Sequence, residues 1–532
     1  MVIPGGPLSG SVEGNPPHNP FRKTLGRGLM QPLFRALSGV LAVGLLAGTS
    51  APGAEADAGP PGRSATTQGA IDWKPCPQDA AVECGALRLP VDWARPSGER
   101  FDLAVARRKA TDPDRRVGVL LVNPGGPGDS GVDFAVRRAK SHFSAEIQAK
   151  FDIIGFDPRG VGGSQPVKCS QKLLDQRPSA YPRNQAEFDR LADFNRTLRK
   201  DCRRHSGPVF DHADTLSVVR DMDAIRRSLG EKKINYFGHS YGTLIGQQYA
   251  EQYGDRIRTM ALTANVDHSL GAREFLVSSA ATAEDSFHQF VEWCDRTSSC
   301  ALHGRDVTAV WDGLLARADR GEIRDPENPD QLLTANAIAL VAFNAFYGPD
   351  GEELATYIAQ LDAQEPNDHP QQSQQPQPRA LQGKEGQTAA EPFHAVFCQD
   401  WRFRPKDYRE FARLTEAELR AAPHMRGSPR VHAAVAGCVG WPNEVNNPQH
   451  RLRITEAPKI LMLHSLHDPA NHYAWATNVH RQAGKTTVLL PYEGVGHSVY
   501  GRSDCTRDAV DDYLTKLKTP SAGSRCTPAG KN

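Results

Sequence analysis

The 532-residue chain has almost no charge of either sign to spare: 63 lysines and arginines face 62 aspartates and glutamates. No basic stripe invites nucleic acid, and no acidic run makes a solvating tail. The chain also lacks C-x-x-C and H-E-x-x-H patterns, so it offers no ready set of zinc ligands. Neither a metal nor an organic cofactor is expected. Long apolar runs are missing too. The best candidate, residues 36–47, is too short for a comfortable membrane span.

What surrounds that run gives it another meaning. Arg22, Lys23, Arg27 and Arg35 precede it, and Ala54-Glu55-Ala56 and Ala56-Asp57-Ala58 follow as cleavage sites. This is the pattern of a secretory signal peptide, so residues 1–58 are expected to be removed. Met30 would give a tidier start, and on that reading residues 1–29 are expected not to be made. No cysteine lies near the run to carry a lipid, so release from the cell without a membrane anchor is expected; a monomer is expected as well. The ten cysteines all lie beyond it, and an even number in an exported chain implies disulfides. They fall into neighbours along the chain: Cys76 and Cys84, Cys169 and Cys202, Cys294 and Cys300, Cys398 and Cys438, Cys505 and Cys526. Neighbour pairing is the expectation adopted, although spacing does not dictate connectivity.

What is present is a set of motifs that fit one another. Gly238-His239-Ser240-Tyr241-Gly242 follows the apolar, β-prone residues 233–237 and precedes a helical pattern over 243–250. A Gly-x-Ser-x-Gly between strand and helix is a nucleophile elbow, in which the serine hydroxyl stands above the sheet edge on a strained turn. A serine hydroxyl needs a base and an orienting acid. In this fold they follow in the order acid, then histidine. Residues 458–464 read as a strand leading to Asp468, and residues 486–491 as the next strand, leading to His497. Of the 18 histidines, His497 alone has this placement. For the acid, Asp400 stays open beside Asp468. A loop of Asn123-Pro124-Gly125-Gly126-Pro127-Gly128 after the strand at 117–122 supplies one oxyanion donor, Gly126, and the elbow supplies the other, Tyr241.

The same loop supports a rival. Residues 126–131 satisfy G-x-G-x-x-G after a strand, and Asp157 ends the next strand where a ribose-binding acid would stand. Against this, Pro127 removes a backbone donor where a pyrophosphate would sit, and Ser240, Asp468 and His497 are left unexplained.

The set Asn123-Pro124-Gly125-Gly126-Pro127-Gly128, Gly155-Phe156-Asp157-Pro158-Arg159-Gly160, Gly238-His239-Ser240-Tyr241-Gly242 and Gly494-Val495-Gly496-His497 resembles the α/β-hydrolase peptidases. Within them it is similar to the secreted bacterial tripeptidyl aminopeptidases, relatives of the prolyl aminopeptidases. Pro124 stands where prolyl aminopeptidases carry histidine, which fits the tripeptidyl branch better. The resemblance implies that Asp157 and Arg159 brace the site rather than react.

The expected fold is therefore an α/β-hydrolase: a mostly parallel sheet with helices on both faces and an inserted, mainly helical cap. Residues 72–265 and 456–518 would carry the core, 266–455 the cap, and 519–532 a tail. Cap helices are expected over 281–294 and 330–346, and a mobile loop over the Gln-, Pro- and Gly-rich 364–388. The reaction expected is hydrolysis of peptide bonds near free N-termini, on peptide substrates, through Ser240, His497 and Asp468. A carboxylester hydrolase with the same triad is the alternative enzyme, and a binding protein on a retired scaffold the non-enzyme one. Glu274, Glu284, Asp285, Glu352 and Glu353 are cap carboxylates within the class that could meet an amine, and none is singled out.

Overall fold

A computed structural model describes residues 70–348, 351–365 and 386–528. The expected signal segment, and all but the ends of the stretch 364–388, lie outside the described residues.

Eleven strands are present among the described residues: β1 (Lys74–Cys76), β2 (Asp79–Pro90), β3 (Arg100–Arg108), β4 (Gly118–Asn123), β5 (Phe151–Phe156), β6 (Lys168–Ser170), β7 (Ile234–His239), β8 (Ile257–Thr263), β9 (Thr388–Ala390), β10 (Ile460–His467) and β11 (Thr487–Val495). Nine of them make one sheet in the order β1-β2-β3-β5-β4-β7-β8-β10-β11, while β6 and β9 pair separately. The first three strands and the β3–β5 contact are antiparallel. From β5 to β11 every pairing is parallel. Both β4 and β5 are buried at every position, as strands covered on two faces must be. Successive residues then feed opposite cores. Leu121, Ile154, Tyr236 and Met260 pack on one face; Leu120, Ile153, Phe237 and Ala261 pack on the other.

β4 lies between β5 and β7. The chain therefore leaves β4 toward one flank and later resumes on the other, which opens a crevice beyond the carboxyl ends of β4 and β7. The Gly-rich loop and the Gly-x-Ser-x-Gly motif are the two segments that leave those ends.

Between β8 and β10 the described residues hold seven helices: Ala272–Arg296, Val307–Asp319, Ala335–Ala345, Gly351–Asp362, Pro392–Asp400, Tyr408–Ala421 and Pro429–Ala436. The first contains the expected 281–294 helix. The third begins later than sequence periodicity suggested, because the Thr334 hydroxyl accepts from the Ala337 N–H and caps it there. Phe287, Trp311, Leu314, Phe343 and Ile358 give this region an apolar core of its own. Tyr241, Leu244, Phe275, Phe397, Trp401 and Trp475 form a second cluster that joins it to the elbow helix Tyr241–Tyr253.

All ten cysteines pair as sequence neighbours, with Cα–Cα separations from 4.3 to 5.6 Å. Cys398–Cys438, with 40 residues of separation, ties the Pro392–Asp400 helix to the residues just after Pro429–Ala436. Opening a loop of that length costs about 4 kcal/mol in the chain-entropy account. We expect the double variant C398S/C438S to lose stability of this order in denaturant unfolding; an unchanged midpoint would contradict the assignment.

Candidate active site

Ser240 has φ +55° and ψ −123°, a conformation that a residue with a side chain rarely adopts. Holding it costs on the order of 1–3 kcal/mol, so the surroundings must over-determine it. They do. A side chain at Gly238 would fall 2.6 Å from the Gly242 carbonyl, and one at Gly242 would fall 2.5 Å from the Asn123 carbonyl. The Tyr236 hydroxyl donates to the Gly242 carbonyl at 2.8 Å, and the Ser240 N–H donates to Thr263 at 2.9 Å. Strand β7 and the elbow helix thus meet closely at Gly238, and the helix meets the end of β4 at Gly242.

Asp468 and His497 leave the ends of β10 and β11, and the structure brings them together. His497 Nδ1 lies 2.8 and 2.9 Å from the two Asp468 carboxylate oxygens. Both side chains are buried. Asp468 Oδ1 also accepts from the Ala470 and Asn471 N–H groups, which fixes the carboxylate before it meets the imidazole. His464 steadies the same loop: its Nδ1 accepts from the Asn265 N–H and its Nε2 donates to the Asn471 carbonyl, with burial lowering its pKa. The contact with Asp468 leaves His497 Nε2 turned away from the acid. The ring of His239, the residue before Ser240, stands edge-on to the His497 ring with centroids 4.8 Å apart. Among the described residues no hydrogen bond joins the Ser240 hydroxyl to His497. Asp400, the other acid considered, is elsewhere: it is buried beside Thr215, Tyr241 and Asn447 and does not touch His497.

The Gly-rich loop reaches the elbow through a residue that sequence reasoning passed over. A side chain at Gly125 would lie 2.6 Å from the His239 carbonyl and 2.9 Å from both Ser240 Cβ and the Tyr241 nitrogen, at φ +99°. The Gly125 N–H donates to the Asn123 side chain at 3.0 Å. The N–H groups of Gly126 and of Tyr241, the first residue of its helix, carry no hydrogen bond among the described residues, and so both are available to an anion. The signal for Gly125 was its place in the Gly-Gly pair, which sequence alone does not divide between the two. Asp129, on the same loop, accepts no hydrogen bond among the described residues. The residue is exposed, yet desolvation by the protein around its carboxyl raises its pKa against the pull of Arg138, Arg430 and His497.

Asp157 accepts from the Ser130 hydroxyl at 2.5 Å, from the Val132 N–H at 3.1 Å and from the Gly163 N–H at 2.7 Å. It therefore ties the Gly-rich loop to the loop after β5, and this occupies the carboxylate that a dinucleotide ribose would need. Arg159 is fully buried, bidentate on Asp221, and donates to the Pro90, Val91 and His212 carbonyls. Among the described residues no group of three His, Cys, Asp or Glu side chains is placed to hold a metal ion.

The model of the alpha/beta hydrolase fold family matches residues 118–478. The chain belongs to the alpha/beta hydrolase family. This family member is 29% identical to the tripeptidyl aminopeptidase of Streptomyces lividans over 485 residues, covering 86% of this chain and 87% of that one. It is 29% identical to the serine protease Hip1 of Mycobacterium tuberculosis, covering 86% and 91%. Carboxylesterase B of Mycobacterium tuberculosis is also 29% identical, with 84% and 86% covered.

The Gly125 contact generates a prediction. Gly125→Ala places a methyl against Ser240 and Tyr241, and displacements of this size at a reacting centre cost roughly a hundredfold in rate. Steady-state turnover by the purified variant measures it; turnover equal to the parent would mean that the loop has slack.

Proposed function

We propose that this chain is a secreted serine exopeptidase of the tripeptidyl aminopeptidase kind, with Ser240 as nucleophile, His497 as base and Asp468 as orienting acid. The observation that carries the reading is the buried His497–Asp468 pair at the strand ends next to an elbow whose serine is held at positive φ. In the cycle, His497 Nε2 takes the Ser240 proton as the oxygen attacks the carbonyl carbon, and Asp468 holds the Nδ1–H tautomer and stabilises the imidazolium. The Gly126 and Tyr241 N–H groups receive the oxyanion. His497 then protonates the leaving amine, and water hydrolyses the acyl-enzyme. The stretch 266–455 acts as a cap over this crevice. The five disulfides fit an extracellular setting, and no helix among the described residues is long and apolar enough to cross a membrane.

Among cap carboxylates, Glu284 accepts from the His424 and Met425 N–H groups, Asp285 pairs with His467, and Glu352 accepts from Ser299. The carboxylates of Glu274, Glu353 and Asp129 accept no hydrogen bond among the described residues, and of these Asp129 sits on the loop that carries the proposed oxyanion donor Gly126. A peptide's free ammonium would find its counter-charge there. The carboxylester reading keeps its place because a carboxylesterase is among the relatives at the same identity.

The two readings separate on substrates. We expect Ser240→Ala to lower turnover at least about a thousandfold without loss of fold, and tripeptidyl chromogenic substrates to outperform acyl esters. Blocking the N-terminal amine should abolish cleavage. Asp129→Asn should raise KM for free-amine peptides roughly tenfold and leave ester hydrolysis alone. Faster turnover of esters, indifferent to blocking, would favour the carboxylesterase; full activity in the alanine variant would end both.

A further inference from the structure

The helix Pro392–Asp400 touches both halves of the proposed oxyanion site. At its start, a side chain on Gly128 would lie 2.9 Å from Pro392. At its end, Asp400 Oδ2 accepts from the Tyr241 hydroxyl at 2.7 Å, and the next residue, Trp401, donates its indole N–H to the same phenol oxygen at 3.3 Å. The rest of the Asp400 carboxylate is equally occupied. Oδ1 accepts from the Thr215 N–H and from Asn447, both at 2.9 Å, and Oδ2 also accepts from the Thr215 hydroxyl at 2.6 Å. Four donors converge on one fully buried carboxylate that the hydrolytic cycle does not use.

We propose that Asp400 is a positioning residue for catalysis: by gripping the Tyr241 phenol it fixes the residue after the nucleophile, and with it the backbone N–H that meets the oxyanion. The inference rests on Ser240 and the Tyr241 N–H acting as assigned above. The phenol and the amide belong to one residue at the first turn of the elbow helix, so a shift of the ring moves the start of that turn. The grip requires the ionised acid. A neutral carboxyl must itself donate, and of its four partners only the two hydroxyls can turn to accept. The Tyr241 oxygen already receives the Trp401 N–H.

The titratable groups facing Asp400 are Asp214 at the start of the Thr215–Ser228 helix, Tyr241 on the elbow, and His268 in the loop after β8. His268 Nε2 donates to the Asp400 main-chain carbonyl at 2.6 Å, and burial holds its pKa down at about 4, so it stays neutral. Burial, with Asp400 adding to it, raises Tyr241 well above its ordinary value and keeps the phenol a donor. Burial first, then Asp214, pushes Asp400 up to about 7. Its folded value lies above the unfolded one, so the carboxylate is neutral below about pH 7 and gains its grip as pH rises through that value.

Asp400→Asn and Tyr241→Phe test this; neither changes Ser240 or a glycine of the elbow. The readout is the rate of covalent labelling by a fluorophosphonate, which needs nucleophile and oxyanion site but no particular peptide. We expect each variant to label roughly tenfold to a hundredfold more slowly at pH 8.5, and the double variant to be no slower than the worse single one. For Asp400→Asn the ratio to the parent should approach one at pH 5.5 and fall as pH rises through 7. Dividing by the parent removes every pH effect common to both. A ratio independent of pH, or losses that add in the double variant, would overturn the inference and mark a structural contact only. Parent-like labelling by both variants overturns it as well. Labelling that persists in Ser240→Ala would instead overturn the assignment of the nucleophile, so the two failures are distinguishable.

Discussion

The site depends on one backbone constraint, the left-handed turn at Ser240. No local preference of serine favours φ +55°. It is imposed by the close approach of the elbow helix to β7, which Gly238 permits and the Tyr236–Gly242 hydrogen bond holds, and to the end of β4, which Gly242 permits. Gly125 extends the constraint to the neighbouring loop, since its main chain lies against Ser240 and the Tyr241 nitrogen. The sheet order places Ser240 beside the crevice at β4 and β7.

The segment between β8 and β10 bonds to each corner of this arrangement. Thr282 donates to the Asp468 carbonyl at 2.5 Å. The His497 N–H donates to the Tyr347 carbonyl at 3.2 Å, and the two rings pack with centroids 4.7 Å apart. Asp400 and Trp401 hold the Tyr241 phenol. A region that only screened substrates would have no need of these contacts. Movement of its helices would be felt directly by Asp468, His497 and Tyr241, the residues proposed as acid, base and oxyanion donor.

Much of the candidate site could be read in the sequence because its parts are local. An elbow is five consecutive residues, and acid and histidine each follow a recognisable strand. The neighbour pairing of cysteines agrees with the structure, but spacing did not dictate it: Cys169–Cys202 and Cys398–Cys438 close loops of 33 and 40 residues that only packing brings together. What could not be read are contacts between distant segments. Asp400 and Asp468 are both acids after apolar runs, and only packing decides that one meets His497 while the other meets Thr215, Tyr241 and Asn447. Tyr347 and Thr282 carry no pattern at all. The division of labour between Gly125 and Gly126 turns on two adjacent dihedral angles that composition does not reveal.

Peptide mapping of the protein after reaction with a fluorophosphonate tests the central claim most directly. The account requires one equivalent of label, on the peptide that contains Ser240, with hydrolytic activity lost in proportion to labelling. Label on a different residue with activity lost in step, or activity intact in fully labelled protein, would contradict it.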